Sequence, residues 1–587
     1  MPLANYPSNQ RKLLEKDSDM KKIAITSGDP AGIGPEITGK ALRFLPVKEN
    51  LAYIVYGKIP TFSDGNLITK ITDPQEARSA GIYWIEIDNY PIEIGVESEN
   101  SGRSAYEILE RCATDLNANK LDAVVTCPIS KSAIQPNHPE FIGHTEFFAQ
   151  RSGTQEVFMS FWGPHFNLAL LTTHMAAEAV PSYLSPQILK KKFRLIYQET
   201  KKLLGAPKIA MLAINPHAGE NGAFGQEDQI IRTLLDQLAQ EDILIDGPFP
   251  ADTFFSRRAT DYDLIISAFH DQGLIPFKML SAEQGVNVTL GLPYIRTSVD
   301  HGTAFDIAGQ NIASEASLEA ALKFAENMLD PAAGVEFSNY RTFARHYDKY
   351  MQQVDYPRWV KLILDRYRAI YSEDPESILE MACGTANIAT LLTEKGFAVD
   401  ASDLAPEMLK IAARKKNPPQ LFYADMTDPI KSGSYDLILS LFDSVNYLPD
   451  ISDLKQLLSH SYQALNQQGM LIFDVVTLKN SQDNFDGFVN LEDSQQQYII
   501  HQSDLDVESR VQTTELTFFS KKGFAYERAD EIHQQFIYSV RELKRCIKNS
   551  DYRLAGIYCV SSSENLLAKS DKFLEENFSR LFFVLVN

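Results

Sequence analysis

Long apolar runs are missing from this 587-residue chain. No stretch approaches the roughly 18–20 residues of a membrane-spanning helix, so no membrane partner is expected. Basic residues are in short supply too. Lys and Arg number 56 against 77 Asp and Glu, a formal charge of −21. That balance argues against a nucleic-acid partner, which a protein meets with a basic face. Cysteine is sparse and odd in number: Cys112, Cys127, Cys383, Cys546 and Cys559, none in C-x-x-C. This excludes a disulfide framework or a zinc ribbon and points to reduced thiols in the cytoplasm. The dinucleotide fingerprint is absent as well. "ITSGDPAGIGPEITGK" (25–40) is glycine-rich, but G-x-G-x-x-G read from Gly32 would need glycine where Ile37 stands. Internal repeats and low-complexity tracts are lacking.

What is present is ordinary for a folded soluble protein: 44% apolar and 23% charged residues. The length suggests about three or four compact units. Strand-like runs such as "KIAIT" (22–26), "AYIVYG" (52–57), "DAVVTCP" (122–128), "NLALLTT" (167–173), "KIAMLAIN" (208–215) and "DLIISAF" (263–269) alternate with helical patterns, among them residues 104–120. Such alternation predicts an α/β protein with a largely parallel sheet and function in the loops at strand ends. Residues 1–20 lack the apolar core of a signal peptide and are expected to form a disordered extension. The amphipathic segment 317–329 closes one domain, 21–330. Residues 331–337 read as a linker, and 338–587 as a second domain with strands at 377–383, 397–404, 435–442 and 469–476.

In the second domain, "ILEMACGTANIATLLTEKGFAVDASDL" reads strand, small-residue turn, helix, strand, with Asp403 nineteen residues past Gly384. A bare turn lets backbone approach a ligand, and a carboxylate ending the second strand accepts from ribose hydroxyls. These residues resemble class I S-adenosylmethionine methyltransferases, a Rossmann-like seven-stranded fold. The usual acidic-x-G-x-G-x-G turn is here Glu380-x-Ala382-x-Gly384-x-Ala386. The resemblance implies S-adenosylmethionine contacts at Glu380, Ala382, Gly384, Asp403, Asp425 and Met426, the last two in "YADMTD". "LFDSVNYL" (441–448) matches the loop facing the methyl group, and residues 343–359 resemble the N-terminal cap of small-molecule members. No N/D-P-P-Y is present.

The first domain sets histidines among polar loop residues in "FIGHTEFFA" (141–149), "INPHAGENGAFGQED" (214–228), "AFHDQGLIPFKML" (268–280) and "GVNVTLGLPYIRTSVDHGTAFDIAG" (285–309). Their spacing is too long for a local metal motif. Taken together with the 25–40 stretch, they resemble the 4-hydroxythreonine-4-phosphate dehydrogenase family over about 21–330. The resemblance implies a two-lobed fold like isocitrate and isopropylmalate dehydrogenases, in which G-D-x-x-G-I-G-P-E is a joint at the active-site cleft. It implies a divalent metal (Zn, Mg, Mn or Co) on His174, His217 and His270, with His270 supplied by the partner in a homodimer. It implies substrate contacts at His144, Thr145, Lys278, Asn287 and Arg296, and NAD or NADP contacts at Asn215, Gly219, Asp300, Thr303 and Asp306. Lys278 and Asp271 are the candidates for the proton-accepting catalytic group.

The chemistry suits these residue types. Arg and Lys match phosphate and carboxylate groups. A divalent cation lowers the pKa of bound water from 15.7 to about 7 and should act on an alcohol in the same direction. The expected reaction is oxidation of 4-phosphohydroxythreonine to a β-keto acid that decarboxylates to 3-amino-2-oxopropyl phosphate, in pyridoxal phosphate biosynthesis. The second domain is expected to methylate an unidentified small molecule. The alternative is a dehydrogenase of 4-phosphoerythronate or 4-phosphothreonate, joined to a non-catalytic S-adenosylmethionine-binding or dimerisation module.

Overall fold

Apolar, β-branched runs set the strands of the first sheet in this computed structural model, which describes residues 20–58, 68–87, 89–281, 284–330, 340–430, 433–494, 496–522, 525–560, 562 and 564–587. Residues 1–19 of the expected extension and the whole expected linker lie outside the described residues. Internal contacts divide the chain into two units, essentially between residues 334 and 335. Two units, rather than three or four, suffice because each is built on a large sheet.

The first unit contributes β1 (Lys21–Thr26), β2 (Leu51–Gly57), β3 (Ile68–Lys70), β4 (Gly81–Glu86), β5 (Ala123–Thr126), β6 (Phe158–Trp162), β7 (Leu168–Leu170), β8 (Ile209–Leu212), β9 (Ile245–Phe249), β10 (Leu264–Ser267), β11 (Val286–Leu290) and β12 (Ile295–Ser298). They form one twelve-stranded sheet in the order β3-β4-β2-β1-β5-β12-β11-β6-β7-β10-β8-β9. The flanks are parallel, as the alternating pattern predicts. The middle is not: β11 runs antiparallel to β12 and β6, and β6 to β7. All seven residues of β2 are buried, as a strand covered on both faces requires. The covering helix Glu99–Asn117 begins earlier than its apolar pattern suggests, because Ser98 caps it by accepting the Ser101 N–H.

The second unit contributes β13 (Ser377–Met381), β14 (Ala398–Asp403), β15 (Gln420–Tyr423), β16 (Tyr435–Ser440), β17 (Leu465–Val476), β18 (Phe488–Ser494), β19 (Gln497–Asp506), β20 (Val511–Lys522), β21 (Ala525–Phe536), β22 (Arg553–Tyr558) and β23 (Arg580–Val586). Seven of them form a Rossmann-like sheet in the order β15-β14-β13-β16-β17-β23-β22. Strand β23 is antiparallel to both neighbours. Strand order reverses between β13 and β16, which opens a crevice at their carboxyl ends. Strands β18 to β21 form a separate antiparallel sheet, with Ile499, Leu516 and Phe518 packed on Phe343 and Tyr350.

Candidate functional sites

In the first unit, β1 runs into the glycine-rich turn. Gly28 has φ +74°, and a Cβ there would stand 2.3 Å from the Pro128 carbonyl oxygen. A Cβ on Gly32 would stand 2.8 Å from the Thr303 carbonyl oxygen. Bare backbone is needed because other backbone presses against it: the Ile33 N–H donates to the Thr303 carbonyl at 2.9 Å. Glu36 accepts the amides of Asn311 and Ala313 at 3.3 and 2.9 Å. The turn thus clamps the 301–313 loop. Buried Asp29 accepts from the Ala31 N–H and the Ser101 hydroxyl, and burial raises its pKa.

Arg296, on β12, is the most informative side chain of this unit. It is 2% exposed, and its guanidinium donates to three threonine hydroxyls: Thr145 at 3.1 Å, Thr289 at 2.5 Å and Thr126 at 3.1 Å. Its Nε has no partner, and among the described residues no carboxylate pairs with it. Burial pushes its pKa down to about 10. A buried cation cradled by neutral hydroxyls is a costly arrangement that an anion would relieve. His144 lies beside it with Nε2 unpartnered; burial, then the charges of Arg296 and Lys131, hold its pKa well below the usual value. Asn287 on β11 also has an unpartnered Oδ1. Lys278 instead pairs with Asp300 at 3.2 Å.

His174 and His270 converge within one chain, their ring centroids 6.3 Å apart. Burial, then Lys131, lowers the His174 pKa, which favours the neutral form a metal requires. The His270 Nδ1 lies 2.7 Å from the Asp271 carboxylate, which orients the ring. The third expected ligand does not join them. His217 is 64% exposed at its side chain and pairs with Glu220 at 3.1 Å. Among the described residues no group of three or more His, Cys, Asp or Glu is placed to hold a metal ion. One chain therefore assembles two of the three expected ligands. His270, expected from a partner, stands beside the His174 of its own chain. Residues His217 to Asn221 are all left-handed, with φ between 42° and 71°. Near them Asn215 donates its N–H to Asp228 and its side-chain amide to Glu227, both at 3.0 Å. Asp306 offers its carbonyl to Gln310.

Sequence reasoning did not single out Thr126, Thr289 or Lys131. The signal for the threonines was the arginine itself, since a buried guanidinium needs acceptors. Lys131 follows directly on "CPIS" and lies near both His144 and His174.

In the second unit the small-residue turn follows β13. Ala382, Gly384 and Ala386 have φ of 51°, 56° and 55°. The two alanines therefore keep the left-handed backbone of glycines. Glu380 is 2% exposed and accepts the Ala389 N–H at 2.8 Å; burial pushes its pKa up to about 8. Asp403 accepts the N–H groups of Gly384 and Ala405 at 2.7 and 2.8 Å, and burial raises it to about 6. Asp425 is folded onto the Thr427 N–H and hydroxyl, and Met426 packs against the core. Phe442 and Asp443, after β16, are left-handed too. Asp474 holds that turn by accepting both amides, at 2.7 and 3.0 Å. Arg580 bridges Asp443 and Asp474. The crevice thus has a bare backbone floor, carboxylates at two strand ends and a pinned loop, as a nucleoside-bearing ligand requires.

Comparison with known proteins places each unit. Residues 50–325 match the pyridoxal phosphate biosynthetic protein PdxA family, and residues 343–555 match a methyltransferase domain family. A 4-hydroxythreonine-4-phosphate dehydrogenase of Sulfurihydrogenibium sp. is 40% identical over 316 residues, 52% of this chain and 98% of the relative. A D-threonate 4-phosphate dehydrogenase of Cupriavidus necator is 38% identical over 316 residues, 51% of this chain and 95% of the relative. Among solved structures, a 4-hydroxythreonine-4-phosphate dehydrogenase from Klebsiella pneumoniae is 29% identical, with TM-score 0.47, covering 52% of this chain and 99% of that one. An S-adenosylmethionine-dependent methyltransferase from Clostridium acetobutylicum is 24% identical, with TM-score 0.36, covering 42% of this chain and 98% of that one.

Proposed function

The chain belongs, through its first unit, to the PdxA family of pyridoxal phosphate biosynthetic proteins, and from that premise we propose a bifunctional enzyme. The first unit oxidises 4-phosphohydroxythreonine with NAD to a β-keto acid, which loses CO2 to give 3-amino-2-oxopropyl phosphate. The second unit is an S-adenosylmethionine-dependent methyltransferase. The observation that carries the first reading is Arg296, a 2%-exposed cation with hydroxyl partners and no paired carboxylate. It suits a substrate phosphate or carboxylate, with Thr145, His144, Lys278 and Asn287 completing the contacts. We assign NAD to Asn215 and Gly219 after β8, and to Asp300, Thr303 and Asp306 in and beside the loop that the glycine-rich turn clamps. The expected two-lobed, isocitrate-dehydrogenase-like architecture fits a cleft beside that turn.

We assign a divalent metal, zinc foremost, to His174, His217 and His270; bound there it would polarise the substrate hydroxyl and the resulting ketone. His174 and His270 already meet, so a second copy is left to bring His217. The helix His270–Ser281 exposes Ile275, Met279 and Leu280 by 60%, 71% and 47%, which supports a homodimer through that face. Within the chain, His144 is held neutral against the Arg296 cradle and can hydrogen-bond substrate without adding charge. Asp271 orients His270 and, as a carboxylate, can take the proton once substrate displaces that partner; Lys278 neutralises Asp300 as an ammonium and can take the proton only after first releasing its own to water. The five free thiols suit a reducing cytoplasm.

In the second unit we assign S-adenosylmethionine to Glu380, Ala382, Gly384, Asp403, Asp425 and Met426, with the ribose on Asp403. The test for the first unit is NADH formation by the purified chain, with and without divalent metal after chelation. Metal-dependent turnover of 4-phosphohydroxythreonine supports the reading. A second reading rests on the D-threonate 4-phosphate dehydrogenase relatives, 38% identical. A kcat/KM favouring 4-phosphothreonate or 4-phosphoerythronate would establish it in place of the first. For the second unit, calorimetry with S-adenosylmethionine is decisive: no binding would leave only a scaffold.

A further inference from the structure

The second unit holds a buried polar file that none of the cofactor assignments uses. His533 on β21 is 4% exposed. Its Nε2 lies 3.4 Å from a Glu531 carboxylate oxygen, and its Nδ1 lies 3.4 Å from the Tyr447 hydroxyl. The Tyr447 hydroxyl in turn lies 2.6 Å from the Tyr340 hydroxyl. Glu531 is anchored because its other oxygen accepts the backbone N–H groups of Thr342 and Phe343. An ionised carboxylate only accepts, so it places the imidazole proton on Nε2 and leaves Nδ1 free to take another. Burial raises the Glu531 pKa, but the His533 bond and the two amides outweigh it and the carboxyl lies below its usual value.

The location is as telling as the bonds. Tyr447 sits on the loop after β16, at the mouth of the crevice. The Tyr340 ring is 6.1 Å from that of Tyr347, and Tyr347 Cε1 lies 3.8 Å from where a Cβ on Gly384 would stand. The small sheet turns polar side chains inward here. Thr514 pairs with His533 across the strands, and Gln512, 2% exposed, donates to Gln535 at 3.1 Å with its own Oε1 unpartnered. Gln535 then donates to Asp443 on the crevice loop. The groups facing His533 are Glu531 on its own strand, His501 on β19, Tyr447 from the crevice loop, and Tyr340 with Phe343 from the segment before the first helix of the unit; Asp443 of the crevice loop meets Gln535, two residues along β21. Burial, then the charge of His533, lowers the His501 pKa.

We propose that Tyr340, Tyr447, His533 and Glu531 form a proton-accepting file for methyl transfer, and that the acceptor is a small-molecule amine or hydroxyl. The proposal rests on the methyltransferase reading of this unit. The methyl carbon–sulfur bond breaks with its electron pair staying on sulfur, and a bond forms from that carbon to the acceptor's nitrogen or oxygen. The acceptor's proton passes to the Tyr340 oxygen, that of Tyr340 to Tyr447, and that of Tyr447 to Nδ1 of His533. The positive charge lost from sulfur ends on an imidazolium beside the Glu531 carboxylate, and that proton later leaves to water. A thiol ionises easily enough to do without such a file. Amines and hydroxyls are held back by their protons, and general-base help for them is typically a factor of 100–10,000.

The full chain is incubated with S-adenosylmethionine carrying a CD3 group, against an ultrafiltered metabolite extract and defined amines, alcohols and thiols. Mass spectrometry reads where the label lands, and calorimetry reads cofactor binding separately. The expected result is CD3 on nitrogen or oxygen, with Tyr447→Phe and His533→Gln each slowing transfer at least 100-fold while binding the cofactor as tightly as the parent. Nitrogen-15 spectra give a readout that needs no acceptor. They should show His533 protonated at Nε2, and Tyr447→Phe should move only the Nδ1 signal. Label on sulfur or carbon, an unslowed Tyr447→Phe, a proton on Nδ1, or no labelled product from a cofactor-loaded chain would each overturn the proposal. Failure to bind the cofactor would instead bring down the methyltransferase reading and the file with it, and the calorimetry tells the two apart.

Discussion

Replacing Arg296 by methionine should separate stability from activity. The guanidinium is 2% exposed, and burial takes its pKa from its ordinary value down to about 10. At 1.36 kcal/mol per unit, holding the charge costs the folded state about 3 kcal/mol. The sign follows from linkage. The folded pKa lies below the unfolded one, so the cost is fully present at any pH below about 10 and is relieved only as pH rises from there towards the ordinary guanidinium value. Arg296→Met removes that cost. It also strips a donor from Thr126, Thr145 and Thr289, an offset of roughly 1 kcal/mol for each hydroxyl that finds no new partner. The net expectation lies between no change and about 3 kcal/mol of stabilisation, a rise of up to roughly 5 °C in the unfolding midpoint of this unit. NADH formation should fall at least about 100-fold, the order expected when a charged contact to substrate is lost. Differential scanning calorimetry with and without inorganic phosphate reads both sides: phosphate should raise the midpoint of the parent and not of the variant. A variant destabilised by more than about 2 kcal/mol would refute the reasoning, because the arginine would then be structural.

Ala382→Gly should stabilise the second unit by about 0.5–1 kcal/mol, since relief of a left-handed alanine outweighs the added freedom of the unfolded glycine; chemical denaturation checks it. Ala386→Gly should come out near zero, because its fully buried methyl is lost as well. His144 should resist protonation well below pH 6.5, its neutral form being favoured by burial and by Arg296. Stability should therefore be lost as pH falls below 6.5, and an imidazole signal that titrates normally would contradict this. His217→Ala should abolish NADH formation and leave S-adenosylmethionine binding intact, measured on the same preparation by absorbance and calorimetry.

The parts of this fold that alternate cleanly were legible. The runs at 22–26, 52–57 and 435–442 became β1, β2 and β16 within two residues, because strands buried on both faces must be continuously apolar. The small sheet of β18 to β21 was not legible, and the reason is chemical. It turns His533, Thr514 and Gln512 inward while Val489, Leu491 and Ile532 face outward at 66%, 61% and 58% exposure. The covered face mixes these polar groups with Ile499, Leu516 and Phe518, so alternation could not reveal which face is covered. At the first site, Arg296 could be singled out from the family pattern, but its cradle could not. Thr126, Thr145 and Thr289 come from β5, a helix start and β11, and only the sheet order brings them together. The same holds at the histidines: spacing cannot say that positions 174 and 270 meet beyond neighbouring strands, or that the His217 side chain is exposed and paired with Glu220.

The left-handed run from His217 to Asn221 also sets what substitutions this loop can accept. Four of its five residues carry a side chain in a conformation that costs an ordinary residue roughly 1–2 kcal/mol. A saturation library over these positions should therefore fall into two groups that side-chain chemistry alone would not separate. Glycine and asparagine should enter freely at Ala218 and Glu220, while valine, isoleucine and threonine, stiff at Cβ, should be purged even though they are small. The backbone, more than any contact, would then act as the filter on which sequences can present a histidine at position 217.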